Sequence, residues 1–219
     1  MAYNVRQWDL VNMEKLSNLS ATIIGCGAGW SLTAIALSKM GIGELTLYDM
    51  DIVKDENIGL QFFTVAQLGF NKAIATKELC EGFNPNVKVN AYSSEFVNQT
   101  LRSEIALAMT DTIESRDCVL RESENSQHCK LYIDARMNPK IVKVFTVNTK
   151  NKPSVDKFRQ DFIKDVKNTE TPCTARGIIF NALLSSTFCS NIVKRYVNNE
   201  ALPKHIAFDL VTGYTIMDL

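Results

Sequence analysis

Residues 21–61 constrain this chain more than any other stretch. An apolar strand runs into the turn Gly25-Cys26-Gly27-Ala28-Gly29-Trp30, a helix and a second apolar strand follow, and that strand ends at Asp49. This order is the sequence form of a nucleotide-binding βαβ unit. Glycines at a strand–helix turn let the backbone bend tightly. They also let N–H groups and the helix N-terminus approach a phosphate or ribose. A carboxylate at the position of Asp49 can accept from both ribose hydroxyls. Trp30 stands where the dinucleotide fingerprint has its third glycine. The turn alone therefore does not separate a nucleotide site from a glycine-containing turn that binds nothing, and Asp49 tips the reading toward a nucleotide.

Patterning along the rest of the chain predicts alternating strands and helices. A helical arm is expected over 1–19, helices over 30–40 and 65–83, and a polar helix or turn over 96–107. A charged helix follows over 112–130 and a long helix with an apolar face over 176–199. Strands are expected at 21–25, 45–49, 87–92, 105–111 and 130–136. The alternating segments 141–148 and 205–217 read as antiparallel strands, the second a hairpin turning at Thr212-Gly213. Residues 149–175 are polar and charged and read as a mobile, partly helical crossover loop. The fold class is α/β, a Rossmann-like mainly parallel sheet flanked by helices, with antiparallel strands toward the C-terminus. A single domain over 1–219 is the expectation for this length.

Composition bears on partners. Lys plus Arg and Asp plus Glu number 24 each, a balance that gives no general case for nucleic acid or an anionic membrane as partner. The N-terminal residues carry charges where a signal peptide needs an apolar core. No apolar run approaches the roughly 18 residues of a membrane span, so a cytoplasmic protein is expected. The six cysteines form no C-x-x-C pair, which leaves the strong zinc signature absent and free thiols as the expectation in a reducing compartment.

Further motifs follow in order: Arg6 within Tyr3-Asn4-Val5-Arg6-Gln7, then the glycine turn, Asp49-Met50-Asp51, Asn57-x-x-x-Gln61, and Gly69-x-x-Lys72. Thr110-Asp111-Thr112 with Arg116 comes next, and Pro172-Cys173-Thr174-Ala175-Arg176 lies before the last long helix. This series resembles the ubiquitin-activating-enzyme-like superfamily, also called ThiF/MoeB/HesA, over nearly the whole chain. The resemblance implies an adenylyltransferase that uses ATP and Mg²⁺. It would activate the C-terminal carboxylate of a small ubiquitin-like or sulfur-carrier protein, giving an acyl adenylate and pyrophosphate. Gly25, Gly27, Gly29, Asp49, Asn57, Gln61 and Lys72 would bind the nucleotide, and Asp111 would hold Mg²⁺. Arg6 matches an arginine that the family's dimers insert into the partner's site, which implies a homodimer. Taken singly, Lys72 could be one exposed lysine among many, Asp111 a helix cap and Arg6 a surface ion-pair partner. Their joint order favours the functional reading.

Cys173 matches the family's thioester cysteine, and a helix N-terminus lowers a thiol pKa. The competing reading is a cysteine packed at a loop–helix junction. Cys189 reads as core and Cys26 as a small residue suited to the turn. The chain departs from the family at Leu60, where a second arginine is usual, at Thr112, where asparagine is usual, and at Trp30. Leu60 and Trp30 favour an alternative, a non-catalytic dimeric scaffold or nucleotide-binding module. A Rossmann-type oxidoreductase is disfavoured by the missing glycine and by the motifs that follow Asp49.

Overall fold

The structure, a computed structural model, describes residues 5–167 and 178–219, with the side chains of 162–167 left aside. Eight strands form one sheet in the order β3-β2-β1-β4-β5-β6-β7-β8. They are β1 Ser20–Ile24, β2 Glu44–Tyr48, β3 Lys88–Tyr92, β4 Ile105–Ala108, β5 Leu131–Met137, β6 Ile141–Asn148, β7 His205–Asp209 and β8 Thr215–Asp218. The first five pair in parallel and the last three antiparallel, as the alternating C-terminal segments predict. The helices are α1 Met13–Asn18, α2 Ala28–Met40, α3 Asp55–Ile58, α4 Lys72–Phe83, α5 Ile113–Asn125, α6 Lys152–Lys167 and α7 Ile179–Val197.

The central strands are apolar on both faces because both faces are covered, as parallel sheets require. Period-two alternation divides them between two cores. Ile23, Ile105, Leu107, Val142 and Val144 join one core with α2, α4 and α7. Ile24, Ala106, Ala108, Phe145 and Val147 join the other with α5 and α6. Trp30 is fully buried in the first core, so the side chain at the third fingerprint position points into packing. Helix α2 ends at Gly41 in the left-handed conformation, φ 104°, whose N–H bonds to the carbonyls of Leu37 and Ser38.

Two elements differ from the sequence reading. The helix expected over 65–83 is a 3-10 turn at Val65–Gln67 and a separate α4 from Lys72. Gly69, at φ +83°, reverses the chain between them, and Asn71 caps the second helix. Residues 96–107 form no helix. Phe96 and Leu101 are buried from irregular chain, and β4 begins at Ile105. Within the crossover segment expected to be partly helical, a 16-residue helix, α6, runs over Lys152–Lys167, with Val155 and Phe158 in the second core. Residues 168–177, with Cys173 and Arg176, lie outside the described residues.

Candidate functional site

Strand order reverses direction at β1, which has β2 on one side and β4 on the other. The loops leaving β1 and β4 therefore diverge and open a crevice at the carboxyl ends of the strands, the usual ligand position in open α/β sheets. A cavity of about 470 Å³ lies there. Its wall includes Gly25, Gly27, Asp49, Asn57, Gln61, Lys72 and Asp111, seven of the sequence-predicted residues. Gly29 and Arg6 are not part of that wall, and Cys173 lies outside the described residues.

Gly25 needs its glycine. Its φ is +88°, and a Cβ there would stand 3.1 Å from the Met109 carbonyl oxygen leaving β4. Gly27 is the N-cap of α2. A Cβ at Gly27 would meet no protein atom, so its absence leaves room beside the α2 N-terminus on the cavity side. Gly29 serves packing. A Cβ would fall 2.5 Å from Met109 Cε and 3.2 Å from Ser185 Oγ on α7.

The Asp49 carboxylate accepts from the Cys26 N–H through Oδ2 and from the Asp51 N–H at 2.8 Å through Oδ1. A carboxylate has about four acceptor positions, so capacity remains for a diol. Burial raises the Asp49 pKa, and the two backbone donors oppose that shift. Lys72, the first residue of α4, lies nearly buried with its Nζ 2.9 Å from Asp51 Oδ2. Asp111 follows β4 on the opposite wall. Partial burial raises its pKa, while Arg116 and Lys72 pull it down. Thr112 accepts from the Ser115 N–H as the N-cap of α5, a task an asparagine would also perform. Gln61 Oε1 is buried in the wall with no hydrogen-bond partner among the described residues. Leu60 also lines the cavity.

Beneath the Asp111 wall is a buried charge cluster absent from the sequence reading. Arg116 bonds to Asp134 Oδ1 at 2.7 Å, and Arg136 Nε bonds to the same oxygen at 2.9 Å. The Tyr132 hydroxyl donates to Oδ2 at 3.1 Å. Asp134 is fully buried. Burial pushes its pKa up, but the two guanidinium groups outweigh that and hold it below the ordinary 3.8. Arg116 carries a motif signal in the sequence. Asp134 carries none, because its partner is 18 residues away and on another element.

Arg6 is exposed on the 3-10 turn Val5–Gln7. Its neighbour Gln7 donates to the Met40 carbonyl at the C-terminal end of α2. Gly27 caps the other end, and 13 residues of helix measure about 20 Å. Arg6 therefore sits remote from its own cavity. The five described cysteines are free thiols. Burial, then the adjacent Asp49, pushes Cys26 well above its ordinary value, and burial raises Cys80 to about 12. Among the described residues no group of three or more His, Cys, Asp or Glu side chains is arranged to hold a metal ion. None of the described helices is long and apolar enough to cross a membrane.

A parallel sheet in the order 3-2-1-4-5, a glycine turn at the switch point and an acidic residue closing β2 define a Rossmann-like protein with a ligand crevice. The chain belongs to the ThiF family, whose model matches residues 2–215. It is 38% identical over 82 residues to ubiquitin-like modifier-activating enzyme 5 of Oryza sativa subsp. japonica, covering 37% of this chain and 20% of that protein. It is 30% identical over 138 residues to the enzyme of that name from Drosophila pseudoobscura pseudoobscura, covering 61% and 34%. The matches thus span a fifth to a third of those relatives' length. Among solved structures, PaaA superposes with a TM-score of 0.77 at 18% identity, covering 99% of this chain and 81% of that one. MccB of E. coli, solved with ATP, gives 0.76 at 18%, covering 94% and 65%. At such identity these two establish the shared fold.

Proposed function

We propose that this protein is an ATP-dependent adenylyltransferase that activates the C-terminal carboxylate of a small ubiquitin-like or sulfur-carrier protein. One observation carries the reading. Six residues that the motif order assigns to nucleotide, Gly25, Gly27, Asp49, Asn57, Gln61 and Lys72, line one cavity at the switch point together with Asp111, assigned to Mg²⁺. Family membership and the names of the relatives support it. The room at Gly27 suits a phosphate against the α2 N-terminus, and Gln61 Oε1, without a partner among the described residues, suits a donor such as a nucleoside supplies.

Charge accounting defines what else the site needs. Among the described residues, the wall carries Asp49, Asp51, Glu56, Glu95 and Asp111 against Lys72 and Arg116, and Arg116 is already ion-paired with Asp134. A triphosphate placed there requires further cations. Magnesium fits, because it is usually held by one or two carboxylates plus substrate phosphates rather than by an all-protein cage. Asp111 would hold it, and the ion would neutralise charge on the phosphates. Arg6 of a second copy supplies the other cation in a homodimer. The remoteness of Arg6 from its own cavity favours that arrangement over action in its own subunit.

In the reaction, the partner's carboxylate oxygen attacks the α-phosphorus and pyrophosphate leaves. Lys72 and Arg6 stabilise the charge that develops on the phosphates. Cys173 then attacks the acyl carbonyl as thiolate, forming a thioester and releasing AMP. Two measurements test the scheme. ATP with Mg²⁺ should raise the melting temperature whereas NAD should not; stabilisation by NAD alone would reject it. With the correct partner, Cys173→Ala should keep ATP–pyrophosphate exchange and lose any thioester. Leu60 in the wall supports the second reading, a scaffold that binds nucleotide without turnover. Nucleotide binding with no exchange across a broad partner screen would select that reading.

A further inference from the structure

Asn71 joins the loop after Asp49 to the start of the helix that carries Lys72, and it is not one of the residues the motifs assign to nucleotide. The sequence reading places it in the interior of a helix. In the structure it makes four hydrogen bonds with one side-chain amide. Oδ1 accepts from the N–H groups of Ala73 at 2.9 Å and Ile74 at 3.2 Å, which caps α4. Nδ2 donates to the carbonyls of Asp49 at 2.8 Å and Asp51 at 2.9 Å. Two donors face the oxygen and two acceptors face the nitrogen, so the partners themselves define the amide's orientation.

The bonds around it extend the same link. The Lys72 N–H donates to the Asp51 carbonyl at 2.9 Å, and Val53 N–H donates to the Phe70 carbonyl at 2.8 Å. An isolated antiparallel bridge joins Ile52 to Asn71. The loop that carries Asp49 and the helix start that carries Lys72 are thereby stapled into one unit. A cap needs only the two bonds to Oδ1. The two bonds from Nδ2 contribute nothing to capping and run to the loop that presents the ribose-side carboxylate.

We infer that Asn71 is a positioning residue that sets the distance between the nucleoside-binding carboxylate Asp49 and the phosphate-binding ammonium of Lys72. The inference rests on the nucleotide reading above. A lysine has a flexible four-carbon stem, so its value for a phosphate depends on where its backbone is anchored. A nucleoside touches the Asp49 side alone, whereas a nucleoside triphosphate must satisfy both sides at once. Loss of the staple should therefore be felt by the triphosphate and not by the nucleoside.

The test is Asn71→Ser in the full chain. Serine is an equally good N-cap but is too short to reach both loop carbonyls. Asn71→Asp is the second variant, since it keeps shape and cap while turning both donations into repulsion. Binding of adenosine and of ATP with Mg²⁺ is measured by calorimetry, with melting temperature as a control on folding. In both variants adenosine affinity should stay within about twofold of wild type while ATP affinity falls about tenfold. Parallel weakening of both ligands, or no change in either, would overturn the inference and leave the nucleotide site standing. Wild-type protein that binds neither ligand would overturn the nucleotide reading and this inference with it.

Discussion

Asp134 shows how a single buried carboxylate sets behaviour at the residue scale. Both of its oxygens are used, by Arg116, Arg136 and Tyr132. Asp134→Asn would leave buried guanidinium charge uncompensated, and a loss of about 3–5 kcal/mol is expected from chemical denaturation. Because the folded state holds the Asp134 pKa below 3.8, its contribution is present above that value. It is lost as pH falls through the folded pKa. Asp111 has the opposite sign. Its pKa is raised by burial, so its favourable contribution is complete below 3.8 and is lost as pH rises through the folded value. At neutral pH the ionised Asp111 is thus kept at some expense to the empty protein. Asp111→Asn should leave the melting temperature of the nucleotide-free protein unchanged or higher while abolishing pyrophosphate exchange. A clear fall in melting temperature would assign Asp111 a structural task instead. Asp49 and Asp111 were legible in the sequence because each closes an apolar strand run. Asp134 was not, because a carboxylate inside an apolar strand announces no partner until neighbouring elements are packed.

At the scale of elements, the turn between α2 and β2 is the tightest fit. The Gly43 N–H donates to the Leu16 carbonyl of α1, and the next residue, Glu44, donates to Leu19. A Cβ on Gly43 would lie 2.1 Å from the Ser17 carbonyl oxygen. That neighbour is backbone and cannot rotate away, so α1 would have to move. Gly43→Ala should cost about 1–3 kcal/mol, read as a lower denaturation midpoint at unchanged m-value. Gly29→Ala should cost less, because the atom it meets first is the flexible end of Met109. The break before α4 escaped the sequence reading for a related reason. Helical spacing continues through residues 65–83, and only the positive φ of Gly69 and the loop carbonyls facing Asn71 show why the chain reverses there.

For the whole molecule, the arrangement of charge matters more than its total. Lys plus Arg balances Asp plus Glu, yet the cavity wall is acidic among the described residues. The homodimer proposal therefore predicts subunit complementation. Mixing Arg6→Ala chains with Lys72→Ala chains should return one working site per heterodimer, measured by pyrophosphate exchange. Absence of recovery in a verified heterodimer would return Arg6 to its own subunit or to no role. Local order along the chain was enough to identify the βαβ unit with its glycine turn and Asp49 and the parallel-to-antiparallel sheet, while the family resemblance pointed to the other residues that line the cavity, Asn57, Gln61, Lys72 and Asp111. Strand periodicity, glycine turns and strand-end carboxylates are properties of neighbours in sequence. The buried Arg116–Asp134–Arg136 cluster, the packing task of Gly29 and the double grip of Asn71 were decided by tertiary structure alone. Each depends on which elements lie side by side, and hydrogen-bond partners across a sheet or between a loop and a helix leave no period for a sequence to display.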